Sequence, residues 1–180
     1  MPEAVVRGGV PVLLGLGANV GDPPAQLAAA LRELSEVVRI DAVSSLYRSA
    51  AVGYREQPDF YNIVCAGETH LSPRELLGAM HAVEQRLGRV RSFRNAPRTI
   101  DIDLLSYDDA VSTAPELVLP HPRLHERAFV LVPLAEIAPE WVHPTLNRTA
   151  AELLASAEGL EPVEHVGPLP THSPDQPEES

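Results

Sequence analysis

The chain has 180 residues, 44% of them hydrophobic and 22% charged, which suits one domain with a real core. Its formal net charge is -11, which argues against a broadly basic nucleic-acid binder. The single cysteine, Cys65, excludes an internal disulfide framework, and the absence of lysine excludes a Walker-type phosphate-loop lysine and Schiff-base chemistry.

The start of the chain is acidic and its apolar run is too short for a signal or membrane segment, so a cytoplasmic protein is expected. "PVLLGL" at 11–16 predicts a strand and "GANVGD" a turn. Asp22 is placed to cap a helix that Pro23 opens and that runs to about 36. "RIDAVSSLYRS" predicts one strand near 40–49, and "FYNIVCAGETH" another near 60–69. "SPRE" at 72–75 is a capping box, and the helix behind it carries Leu76, Leu77, Met80, Val83 and Leu87 and stops at Gly88. "TIDIDLLSY" is the next strand. The order β-α-β-β-α-β predicts an α+β, ferredoxin-like core, an antiparallel sheet with helices on one face. A short extended piece near 116–119 follows, then a turn, a helical stretch at about 126–136, and a last helix. That helix is opened by the capping box "TAAE" at 149–152 and ended by Gly159.

Charge is unevenly spread. Residues 161–180 hold Glu161, Glu164, Asp175, Glu178 and Glu179 without any Lys or Arg, and proline recurs there. This predicts a disordered acidic tail behind a single domain at 1–160. Residues 86–98 hold Arg86, Arg89, Arg91, Arg94 and Arg98 without any acid. One arginine-dense loop in an acidic chain suits a confined anionic ligand. Arg86, at a helix end, is expected to pair with a nearby acid. Arg98 stands just before the strand, after Pro97, and is best placed to lie near that strand's aspartates.

Those are Asp101 and Asp103. Two residues apart on a strand, they share a face at roughly 6.5–7 Å, while Ile100, Ile102 and Leu104 face the core. The plainer reading of such a pair is two solvated carboxylates. Beside five arginines the balance shifts, because acids and guanidinium groups together frame a polyphosphate. Carboxylates at this spacing can bridge two magnesium ions, which keep waters and bind phosphate oxygens as well.

Phe60 and Asn62 share a face of their strand, with Tyr61 opposite. Asn is a poor strand residue, and a carboxamide beside an aromatic face suits a flat heterocycle with an amide edge. The plainer alternative is a core Phe60 and an Asn62 that satisfies neighbouring backbone. Cys65, in an apolar run, reads as a small core residue. His121 and His125 lack the spaced partners of a zinc site. Glu84 faces the arginine loop or only edges its helix's apolar stripe. "GLGANVG" misplaces the third glycine of a dinucleotide motif.

At "RNAPRTIDIDLL" (94–105) the chain resembles the 6-hydroxymethyl-7,8-dihydropterin pyrophosphokinase family of folate biosynthesis. The resemblance extends through "GLGANVGD", "SSLYRS", "QPDFYN", "LGRVR" and "LPHPRLHERAFVLVPLAEIAPEWVHP", covering about residues 11–145 in order. It implies a ferredoxin-like fold and transfer of an intact pyrophosphoryl group from ATP to the pterin hydroxymethyl oxygen, with release of AMP. By the same resemblance Asp101 and Asp103 bind two Mg2+ ions, and Arg89, Arg91 and Arg98 handle the triphosphate. Leu104, His121 and Arg127 lie with the nucleotide. Phe60 and Phe129 sandwich the pterin, while Asn62 and the backbone around Ser49 and Val52 read its edge. The loops 49–57 and 88–98 close over both substrates. The implied partners are these two small molecules, with no nucleic acid and no membrane, and the chain is expected to be a monomer.

Two other classes compete. A ferredoxin-like RNA binder would show the "GFGFVxF" pattern, which is absent. A two-metal nuclease or phosphohydrolase would recruit further carboxylates, and Asp108 and Asp109 fall past the strand in a turn.

Overall fold

The computed structural model describes residues 9–50, 58–88 and 100–170. The first strand, β1 (Val10–Ala18), leads through Asp22 into helix α1 (Pro23–Leu34). The Asp22 carboxylate accepts from the Ala25 N–H at 3.3 Å, the cap its position predicts. The expected strand at 40–49 is two pieces, β2 (Val38–Val43) and β3 (Leu46–Ser49). The chain breaks at Ser44, whose Oγ accepts from the Val64 N–H at 2.9 Å. A serine hydroxyl there substitutes for a ladder bond and lets the strand bend, as a bulge does.

Next come β4 (Phe60–Thr69), α2 (Pro73–Gly88) and β5 (Asp101–Tyr107). The α2 capping box is present: the Ser72 N–H donates to Glu75 Oε1 at 3.0 Å, and the Glu75 N–H to Ser72 Oγ at 3.2 Å. A small hairpin follows, β6 (Ser112–Ala114) and β7 (Leu117–Leu119), then a 3-10 turn at Leu124–Glu126. Helix α3 (Ala128–Ile137), α4 (Ala150–Ser156) and a last strand, β8 (Val163–Gly167), complete the described chain. α4 stops before Gly159 but carries the predicted Thr149/Glu152 capping box.

The main sheet runs β5-β1-β4-β3-β8, with β2 pairing β4 beside β3, and every pairing is antiparallel. Without β8 this is the ferredoxin-like order. Helices cover both faces, not one. Leu27 and Leu34 of α1 and Leu76, Met80 and Val83 of α2 pack on one face with Leu14, Leu16, Ile63, Cys65 and Ile102. On the other, Leu131 and Leu134 of α3 and Leu153 of α4 pack on Leu13, Val64 and Leu105. The central strands are thus apolar on both sides, and the apolar α3 residues bury rather than edge the sheet. Each fully buried leucine contributes about 1.5–3 kcal/mol. Burial pushes the Cys65 thiol up to about 12, in keeping with a packing role. Between the helices on the first face, Arg86 pairs with Glu33 at 2.6 Å, the partner expected for it.

For residues 161–170 the expected disorder is corrected; residues 171–180 lie outside the described residues. β8 adds to the free edge of β3, with Ser49 opposite Val163 and Tyr47 opposite His165. Glu164, counted as a tail charge, forms an ion pair with Arg48. Leu169 is 8% exposed and joins the main core. An unpaired strand edge recruits a partner that composition does not reveal.

Candidate active site

α3 covers only part of its face of the sheet. Where it ends, the sheet presents β1's C-terminal half and the N-terminal ends of β4 and β5. There side chains from the same face line a cleft of about 570 Å3. Its geometry follows from register. Gly17 lies opposite Asp101 on one side and Asn62 on the other, and Asn62 lies opposite Tyr47. The next row sets Gly15 opposite Asp103. Two glycines on one strand face leave a floor without side chains between the carboxylates of β5 and the aromatic and amide groups of β4.

Asp101 and Asp103 are exposed on that face, while Ile102 and Leu104 are buried behind them. Glu84 of α2 accepts from the Ile102 N–H at 3.3 Å, which ties the helix to the strand that carries the pair. Among the described residues no group of three or more metal-ligating side chains gathers. The donors at the pair are oxygens, few and exposed. That set fits a hard divalent ion that keeps waters and takes phosphate oxygens.

The roof is the start of α3. Arg127 and Phe129 line the cleft, with the Arg127 guanidinium 5.4 Å from the Phe129 ring centre. Arg123 and Glu126 join them. His121 sits close by and accepts at Nδ1 from the Arg123 N–H at 3.2 Å. An accepting Nδ1 leaves the proton of the neutral ring on Nε2. Burial holds the His121 pKa below its usual value; Asp103 opposes this, and Arg127 and Arg123 add to it. Nε2 is thus the nitrogen of the neutral ring that can donate, near Asp103.

At the far end Phe60 faces the cleft, and Asn62 Nδ2 donates to Ser49 Oγ at 3.2 Å. Asn62 is 6% and Ser49 7% exposed, so the amide is held in a buried polar pair. Leu104 turns away: its side chain is buried in the α1/α2 core, and only its backbone can meet a ligand. Val52, Arg89, Arg91 and Arg98 lie outside the described residues. Sequence reasoning puts the glycine-bearing stretch Gly15–Asn19 by the site without a catalytic role, and it missed Arg123 and the wall made by Gly159, Glu161 and Val163. The glycines had a signal, since both stand on the strand face opposite the aspartates' strand. The wall had none, because it depends on β8 joining the sheet.

The α+β sheet carries a cleft that joins paired carboxylates to an aromatic and carboxamide end, and comparison with known proteins puts the chain among the pyrophosphokinases. A solved structure of Plasmodium falciparum HPPK-DHPS with pterin and p-hydroxybenzoate shares the fold, at TM-score 0.67 and 17% identity over 83% of this chain and 43% of that one. Residues 13–139 match the family model of 7,8-dihydro-6-hydroxymethylpterin-pyrophosphokinase (HPPK), and the chain belongs to that family. It is 46% identical over 155 residues to the 2-amino-4-hydroxy-6-hydroxymethyldihydropteridine pyrophosphokinase of Methylorubrum extorquens, covering 84% of this chain and 97% of that protein. It is also 38% identical over 160 residues to the Folic acid synthesis protein FOL1 of Dictyostelium discoideum, covering 89% of this chain but 24% of that longer protein. Among the described residues no helix is long and apolar enough to cross a membrane.

Proposed function

We propose that the chain transfers the pyrophosphoryl group of ATP to the hydroxymethyl oxygen of 6-hydroxymethyl-7,8-dihydropterin, giving the pterin diphosphate and AMP in tetrahydrofolate biosynthesis. Family membership supports the reaction. The observation that carries it is the cleft whose lining brings Asp101 and Asp103 together with Phe60, Asn62 and Phe129.

The hydroxymethyl oxygen bonds to the β-phosphorus as the bond from that phosphorus to the α–β bridging oxygen breaks. AMP leaves with that oxygen, and the hydroxyl proton passes to solvent. Positioning and charge stabilisation supply most catalysis in such transfers. Asp101 and Asp103 would hold two Mg2+ ions, which would neutralise phosphate charge and ease ionisation of the hydroxyl. His121 donates Nε2–H and Arg127 its guanidinium to the nucleotide, with the Leu104 backbone alongside. Arg89, Arg91 and Arg98 grip the triphosphate, by resemblance alone. Phe60 and Phe129 stack on the pterin, and Asn62, Ser49 and the backbone at Val52 read its edge. Excluding water from the closed cleft limits hydrolysis of ATP.

In this reading the catalytic domain, expected at residues 1–160, extends through β8 and Leu169. The chain acts as a cytoplasmic monomer on small molecules, with no nucleic acid or membrane partner. Mixing the protein with ATP, magnesium and the dihydropterin tests it. One AMP per pterin consumed is expected; ADP or free phosphate as the stoichiometric product contradicts it.

A further inference from the structure

Gly17 is not a glycine for reasons of backbone conformation: the glycines with positive φ are Gly21, Gly159 and Gly167 among the described residues. Space is the reason. A Cβ built on Gly17 would stand 2.7 Å from Asn62 Oδ1, closer than real Cβ contacts come. At Gly15, by contrast, the nearest atoms are Leu105 methyl carbons at 3.4–3.5 Å, an ordinary contact. Of the two floor glycines, only Gly17, opposite Asn62, demands a bare α-carbon; Gly9 and Gly67 are crowded too, but outside the cleft.

The Asn62 amide is fixed from two sides. Its Nδ2 reaches across to Ser49 Oγ on β3 at 3.2 Å, and its Oδ1 lies beside Gly17, on the other neighbouring strand. We infer that Gly17 is a positioning residue for ring recognition. By leaving room for Oδ1, it sets the plane in which Asn62 presents one remaining N–H and one carbonyl to the ligand. A methyl group there rotates the amide, breaks the bond to Ser49, and misaligns the donor–acceptor pair. This inference rests on the proposed role of Asn62. It also predicts that Gly17 acts through the amide and through nothing else.

A double-mutant cycle tests it, with steady-state kinetics on the full chain and thermal unfolding of each variant. Asn62→Ala alone reports on the underlying reading: a KM for the dihydropterin unchanged from wild type would overturn the role of Asn62 in ring recognition and, with it, this inference. With Asn62→Ala impaired, Gly17→Ala is expected to raise the dihydropterin KM about tenfold, with the KM for ATP within about twofold of wild type. In the Asn62→Ala background the clashing oxygen is gone. There Gly17→Ala should leave both the pterin KM and the unfolding temperature where Asn62→Ala alone puts them. The inference is overturned if Gly17→Ala leaves the pterin KM unchanged, or if it does as much damage without the Asn62 amide as with it. Should Gly17→Ala alone fail to fold, the double variant decides: recovery of the Asn62→Ala unfolding temperature supports the inference, and continued failure overturns it.

Discussion

The Tyr47 hydroxyl donates to the Glu136 carboxylate at 2.5 Å, tying β3 to α3 across the edge of the sheet. The Ser45 N–H and hydroxyl donate to the same carboxylate at 3.0 Å. One acid thus anchors the helix whose first turn roofs the cleft to the strand whose Ser49 holds Asn62.

The anchor makes a stability prediction at both ends of the pH range. Burial would raise the Glu136 pKa, but the bonds from Tyr47 and Ser45 together hold it below its ordinary 4.5. A depressed folded value contributes stability above the ordinary one and loses it as pH falls through the folded one. Burial first, and Glu136 second, push the Tyr47 phenol from 10.0 up to about 12. A raised value contributes stability that is full below 10.0 and is lost as pH rises toward about 12. Tyr47→Phe should cost about 1 kcal/mol at neutral pH, since the pair is partly screened by solvent. Denaturant unfolding of the wild type and Tyr47→Phe at pH 3, 7 and 11 checks this; parallel curves at all three would refute the anchor.

Asp101→Asn and Asp103→Asn should each abolish turnover and leave the unfolding temperature close to wild type. Both carboxylates are exposed, so neither supports the core. Rates across a magnesium titration check the assignment. A variant with a near-normal rate and an unshifted magnesium dependence would remove its aspartate from the metal site.

Phe60→Ala and Phe129→Ala should weaken dihydropterin binding at least tenfold, as loss of an aromatic stacking partner does. Phe129→Ala also removes the ring beneath Arg127, so it should raise the KM for ATP as well, while Phe60→Ala should not. Equal effects of the two variants on ATP would break the assignment of opposite faces.

Leu169→Ala tests whether the C-terminal strand belongs to the fold. Leu169 is 8% exposed in the core, so truncation should cost about 2 kcal/mol or more. A disordered tail would show no change in unfolding temperature.

Local signals carried much of this structure. Asp22, Ser72/Glu75 and Thr149/Glu152 mark helix starts through their own side-chain chemistry, and each cap is where its spacing puts it. Period-two alternation set Asp101 and Asp103 against Ile102 and Leu104, and Phe60 and Asn62 against Tyr61. What lay beyond local reasoning was tertiary. The apolar α3 gives no hint of which face of the sheet it will cover. Val163 and Glu164 read as tail until the open edge of β3 pairs with them. Ser44 interrupts its strand because its hydroxyl finds the Val64 N–H on another strand. Gly17 matters only once register brings Asn62 beside it.

The central claim is that one cleft passes two phosphoryl groups together from nucleotide to pterin. ATP labelled at its β-phosphorus, supplied with magnesium and the dihydropterin, tests that most directly. The label should appear wholly in the pterin product, with unlabelled AMP released beside it. Label retained in the nucleotide, with a pterin carrying a single phosphoryl group, would contradict the account.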